Sequence, residues 1–161
     1  MGLLAEDKRV EGRVFQLLLV EDNATDAELT AICLDRAGLR YKLSVVESGE
    51  QALAFLRRQT PYADAPVPDM VLLDLNLPGM NGFEVLTKIA TDDVLRTLPV
   101  TILSTSADEA DIIRAYHHRC NSYLTKAPNL EEMIRTMRVF VAYWFGAARL
   151  PRPPHTHRKM P

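Results

Sequence analysis

The chain has 161 residues, 47% of them hydrophobic, and a formal net charge of −2 at pH 7. That length argues for one domain with a sizeable core, and a near-neutral charge carries no electrostatic footprint of nucleic-acid binding. Met1 to Glu11 mixes acidic and basic side chains without the apolar core of a signal peptide, and no apolar run reaches membrane-spanning length. Cys33 and Cys120 lie in separate segments without C-x-x-C spacing, and read as buried free thiols of a reducing compartment. The expectation is a soluble, cytoplasmic protein with neither nucleic acid nor membrane as partner.

In chain order, residues 1–13 are a polar lead-in. Phe15–Val20 is an apolar run that predicts a first strand, ending in Glu21-Asp22-Asn23. Asn23 is a natural N-cap; Leu29, Ile32, Cys33 and Arg36 follow at helical spacing, and Gly38 closes the helix. Leu43–Val46 predicts a second strand. Ser48-Gly49-Glu50-Gln51 is a capping box, and Ala52, Leu53, Phe55 and Leu56 supply the next helix's buried side. After a Pro-rich loop from Pro61 to Pro68, Met70-Val71-Leu72-Leu73 predicts a strand buried on both faces, with Asp74 at its end. An Asn-, Pro- and Gly-rich turn leads to a helix near Gly82-Phe83 with Phe83, Leu86 and Ile89 on one side.

Pro99 introduces a fourth strand, Val100–Leu103, which ends in Ser104-Thr105-Ser106. Asp108 to His118 is a polar, weaker helix containing Ile112, Ile113 and Tyr116. Tyr123–Thr125 is a short fifth strand followed by Lys126. Asn129-Leu130-Glu131-Glu132 opens a last helix with a stripe of Leu130, Met133, Ile134, Met137, Phe140, Val141 and Trp144. Five strands alternating with five helices predict an α/β fold, a flavodoxin-like doubly wound parallel sheet of order 2-1-3-4-5 with helices on both faces. The expected division is lead-in 1–13, domain 14–145, and a Pro-rich basic tail 146–161.

That order places the first and third strands side by side, so Glu21, Asp22 and Asp74 converge at one sheet edge. Crowded carboxylates repel unless a cation neutralises them, and a hard divalent ion such as Mg²⁺ suits oxygen ligands. Ser104 brings a hydroxyl and Lys126 an ammonium to the same edge. This is a site for phosphoryl chemistry on a carboxylate, with Asp74 as nucleophile and Lys126 pairing a phosphoryl oxygen. A phosphatase with an Asp nucleophile would want a second Asp where Asn76 stands. A flavin carrier would want a Gly- and hydroxyl-rich loop where Glu21-Asp22 stands. His117, His118, His155 and His157 are too weakly spaced to suggest a metal site.

The chain resembles the receiver domains of two-component response regulators over about residues 14–145. The resemblance rests on Leu18-Leu19-Val20-Glu21-Asp22-Asn23, on Leu72 to Gly82, on Leu103-Ser104 and on Tyr123-Leu124-Thr125-Lys126. It implies that Asp74 accepts phosphate from a sensor histidine kinase. It also implies that Asp22, Asp74 and the carbonyl of Asn76 hold Mg²⁺, with Glu21 acting through water. Ser104 and Tyr123 are then the switch pair, Tyr123 swinging inward when Ser104 turns to the phosphoryl group. Such a protein is no turnover enzyme: any hydrolysis is of its own acyl phosphate. The alternative is a receiver-fold adaptor that is not phosphorylated. Asn121 to Lys126 and Ala142-Tyr143-Trp144-Phe145-Gly146 are similar to the stand-alone regulators that partner bacterial and cyanobacterial phytochromes, implying a bacteriophytochrome-type kinase as partner.

Three expectations remain. Receivers usually carry proline directly after the lysine, on a cis bond. Here Ala127 follows Lys126, and a cis bond before Ala costs about 3–4 kcal/mol, so a trans Lys126–Ala127 bond is predicted. That leaves the reach of the Lys126 ammonium open. After the last helix about fifteen residues remain, too few for a helix-turn-helix output domain. Finally, the end of that helix turns apolar on several faces, which predicts a homodimer through this helix and tail, with Phe140, Tyr143, Trp144 and Phe145 in contact. A tail folded back over it is the rival cover.

Overall fold

A computed structural model describes residues 13–151. Its strands are β1 (Phe15–Val20), β2 (Tyr41–Val46), β3 (Met70–Leu73), β4 (Val100–Ser104) and β5 (Ser122–Thr125). Its helices are α1 (Ala24–Arg36), α2 (Gly49–Leu56), α3 (Gly82–Thr91), α4 (Glu109–His117) and α5 (Leu130–Val141), the last running into a π-helical turn over Ala142–Ala147. The strands form one parallel sheet of order β2-β1-β3-β4-β5, as the sequence predicts. The lead-in up to residue 12, and the tail from residue 152 with His155 and His157, lie outside the described residues.

The alternation of side chains along each strand divides the core in two. Leu18 and Val20 of β1, Val71 and Leu73 of β3 and Ile102 of β4 face α2, α3 and α4, meeting Leu53, Phe55, Leu86 and Ala115. Leu17 and Leu19, Met70 and Leu72, and Leu103 face α1 and α5, meeting Cys33, Leu34, Met133 and Met137. Because β3 is covered on both sides, its four residues are all buried and its sequence is an unbroken apolar run. Buried Asp69 ties the opposite end of the sheet. It accepts from the Arg13 guanidinium at 2.6 Å and from the Gln16 amide at 2.8 Å, which fixes the start of β3 against β1.

The helix starts follow from capping side chains. Asn23 accepts from the Asp26 amide, Ser48 from Gln51 and Asn129 from Glu132. The reciprocal half of the predicted Ser48–Gln51 box goes elsewhere: the Gln51 side chain takes the Glu47 amide at 2.8 Å. A complete capping box forms instead at Asn81 and Glu84, the start of α3. Of the residues at helical spacing in α1, only Cys33 is buried. Leu29 and Ile32 are exposed, while Thr30, Cys33 and Leu34 are buried. Thr30 can be buried because its hydroxyl donates to the Asp26 carbonyl at 2.9 Å.

The end of α5 corrects a second expectation. Phe140 and Phe145 are spent inside the chain, 4% and 8% exposed. The Phe145 ring lies 4.7 Å from Phe15 and 5.9 Å from Phe140. The cause is the π-helical turn, whose wider winding puts Phe145, five positions after Phe140, where Trp144 would sit in an α-helix. Of the four residues expected to meet a partner, Tyr143 is exposed and Trp144 half-buried. The helical winding passes the predicted boundary at residue 146, and Leu150 still packs on the α1–α5 side of the core.

Candidate functional site

The sheet register assembles the site. Val20 pairs with Leu73, and Ser104 with Thr125, so the residues just beyond these pairs leave the sheet at one edge. The Asp74 amide donates to the Val20 carbonyl at 3.1 Å and the Lys126 amide to the Ser104 carbonyl at 2.7 Å, carrying both functional side chains past the last strand pairs. Glu21 and Asp74 are buried and Asp22 is exposed. One carboxylate oxygen from each of the three lies within 4.8 Å of the others.

Lys126 answers this charge. Its Nζ donates to Glu21 at 2.7 Å, Asp26 at 2.9 Å and Asp74 at 3.1 Å. The only cis peptide among the described residues precedes Pro61, so Lys126–Ala127 is trans as expected, and the ammonium reaches Asp74 nonetheless. Burial opposes the ammonium. The hydrogen bonds to Glu21 and Asp26, with the Asp74 charge, outweigh it and hold the Lys126 pKa above its ordinary value. For Glu21 it is burial that prevails. Burial lifts its pKa to about 7, with the Asp74 charge adding to the rise and the hydrogen bonds from Lys126 and the Asn23 amide lowering it.

Asp74 is no helix cap. Its Oδ1 accepts from the Asn76 amide at 3.1 Å, and the next helix is capped by Asn81. This contact holds the exposed Asn76 backbone close beside the Asp74 carboxylate. An all-carboxylate oxygen set, two of its members buried, suits a hard divalent cation: Glu21, Asp22 and Asp74 are the side chains that could hold it.

Asp26 is the site residue that sequence reasoning missed. It stands in the first turn of α1, where side chains tilt back toward the helix start and so toward the acidic pair. An acidic residue in the turn after Glu21-Asp22-Asn23 was the available signal.

Ser104 and Tyr123, the residues expected to form a switch pair, meet through Ser106. Ser104 is fully buried and its Oγ accepts from the Ser106 amide at 3.2 Å. The Tyr123 hydroxyl donates to the Ser106 carbonyl at 2.8 Å, holding the half-buried ring toward the loop after β4. The Ser106 hydroxyl donates to Asp111 of α4 at 2.6 Å.

The response regulator receiver domain family matches residues 17–138, most of the described chain. The chain belongs to the response regulator receiver family. Among relatives of this receiver, response regulator Rcp1 of Synechocystis is 37% identical over 135 residues, covering 84% of this chain and 92% of that one. The phosphorylated cyanobacterial phytochrome response regulator RcpA superposes with a TM-score of 0.81 at 38% identity, over 86% of this chain and 99% of that one. The Mn²⁺-bound form of Rcp1 gives a TM-score of 0.79 at 36% identity, over 85% and 99%. The receiver fold and its relation to phytochrome response regulators are therefore established for this chain. No described helix is long and apolar enough to cross a membrane.

Proposed function

We propose that this receiver accepts a phosphoryl group on Asp74 from the phosphohistidine of a phytochrome-type sensor histidine kinase. The observation that carries the reading is the Asp74 carboxylate, paired to Lys126 at 3.1 Å and grouped with Glu21 and Asp22 at the sheet edge. An Asp74 carboxylate oxygen attacks phosphorus; the new P–O bond forms as the P–N bond breaks, and the imidazole leaves with that electron pair. Lys126 pairs with a phosphoryl oxygen, and Ser104 turns its hydroxyl from the Ser106 amide to another. Asp22, Asp74 and the Asn76 carbonyl would hold Mg²⁺, with Glu21 acting through water. The bound ion would supply positive charge to the phosphoryl oxygens. Hydrolysis of the acyl phosphate returns the resting state.

When Ser104 turns away, Ser106 loses one of its partners, and Tyr123, bonded to the same residue, shifts its packing. The readout is a population shift of the α4–β5–α5 face. Support for the phytochrome partner is the likeness to Rcp1 and RcpA, and such a kinase would meet the receiver in the cytoplasm. A homodimer belongs to the same reading. Its contact surface is Val139, Tyr143 and the exposed part of Trp144, beside a groove of about 520 Å³ bounded by Leu124 and Phe140.

The test is phosphotransfer from autophosphorylated, radiolabelled kinases. Label should pass from a phytochrome-type kinase to the wild type and not to Asp74→Asn. Transfer no better than from unrelated sensor kinases would overturn the phytochrome partner, and label on Asp74→Asn would overturn the site.

A further inference from the structure

Lys126 is fully engaged before any phosphoryl group arrives. A lysine ammonium has three N–H donors. Here they go to three carboxylates, Glu21, Asp26 and Asp74. To pair with a phosphoryl oxygen, Lys126 must give up one of them.

The three partners differ in what release costs. Glu21 is 2% exposed and its other oxygen already accepts from the Asn23 amide at 3.1 Å. Without Lys126 its charge would be buried with a single amide for company, which is expensive. Asp74 is the reacting group itself. Asp26 is 37% exposed, so water can replace the ammonium. Its position in the first turn of α1 also favours a free negative charge. Its backbone is clamped on both sides: the Asp26 amide donates to Asn23 at 3.0 Å, and the Asp26 carbonyl accepts from Thr30. The side chain can therefore turn to solvent without disturbing the helix.

We infer that Asp26 is a positioning residue that holds Lys126 back in the unphosphorylated receiver and releases it as the phosphoryl group reaches Asp74. This rests on the reading of Asp74 as phosphoacceptor. Asp26 stabilises the resting state and makes no contact with Lys126 once the phosphoryl group is in place. Its removal therefore speeds phosphorylation and leaves hydrolysis unchanged, because the phosphorylated state and the hydrolytic transition state both lack the Asp26 contact.

The experiment uses the full chain with acetyl phosphate and Mg²⁺. As the Asp74 oxygen–phosphorus bond forms, the acyl oxygen–phosphorus bond breaks and acetate leaves. Phosphorylation and, after donor removal, hydrolysis are followed by intact mass for wild type, Asp26→Asn and Asp26→Glu. Even an exposed ion pair is worth a rate change of roughly 1.4- to 5-fold, and this one is partly buried. Asp26→Asn should be phosphorylated faster by about that factor, with the same hydrolysis rate, and Asp26→Glu should stay near wild type. A second readout needs no metal and no phosphate. Asp26→Asn should lower the Tm of the metal-free protein by more when Lys126 is present than in the Lys126→Met background, where only its favourable place at the start of α1 is lost.

An Asp26→Asn protein that is phosphorylated no faster, or whose two rates change by one factor, overturns the inference. So does an equal Tm effect in both backgrounds. A wild type that takes no phosphoryl group overturns the phosphoacceptor reading, and the release step with it. A wild type that is phosphorylated while Asp26→Asn behaves identically overturns the inference alone.

Discussion

Gly82 shows how one residue holds Asp74, the proposed phosphoacceptor, in place. A Cβ there would lie 2.7 Å from the Leu75 Cα and closer still to the Asp74 carbonyl oxygen. The glycine lets the first turn of α3 press against the chain leaving β3, and its amide donates to the Leu75 carbonyl at 3.0 Å. Gly82→Ala must push these backbones apart, at a cost of about 1–3 kcal/mol. The expected result is a lowered Tm together with slower phosphorylation, because Asp74 moves from Lys126; thermal melts and adduct kinetics check both. At this scale the sequence was readable where a residue stands at a strand end. Glu21, Asp22, Asp74, Ser104 and Lys126 follow from counting strands. Asp26 does not, because its contact depends on how α1 leaves β1, which composition and spacing leave open. The spacing of Leu29 and Ile32 likewise did not say which side of α1 is buried: Thr30 takes a buried position with its hydroxyl satisfied by the backbone within the helix, and both apolar residues are exposed.

Among the elements, α5 carries most of what the sequence left unresolved. In its first part Met133, Met137 and Phe140 are buried at helical spacing as expected, while Leu130 of the same expected stripe is exposed. Beyond Val141 the winding changes to a π-turn, and no 3.6-residue pattern anticipates that change. The result places Phe145 on Phe15 and leaves Val139 71% and Tyr143 57% exposed. That narrows the proposed dimer contact to Val139, Tyr143 and the exposed part of Trp144, the last two already edge-to-face at 5.2 Å. Val139→Glu and Tyr143→Glu alter exposed positions, so they should keep the native fold by circular dichroism, with a fall in Tm no larger than the loss of a partner subunit accounts for. Light scattering should report a dimer for the wild type and a monomer for either variant. A wild type already monomeric, or variants of unchanged size, would contradict the dimer.

Over the whole molecule, the strand order and both halves of the core were legible because each strand and its helix carry their own periodicity, and right-handed crossovers leave few ways to join them. What the complete fold adds is the convergence of distant segments. Lys126 reaches Glu21 across 105 positions of sequence and Asp74 across 52. The trans Lys126–Ala127 bond does not prevent that reach, because the Lys126 amide is fixed to the Ser104 carbonyl and the side chain starts from the sheet edge itself. It is this convergence that is proposed to make Asp74 a phosphoacceptor. The most direct test is the intact mass of the purified chain after incubation with acetyl phosphate and Mg²⁺, with the modified peptide mapped. The wild type should gain one phosphoryl group on Asp74, chelation of the metal should suppress it, and Asp74→Asn should gain none. An unmodified wild type, or an equal gain on Asp74→Asn, would contradict it.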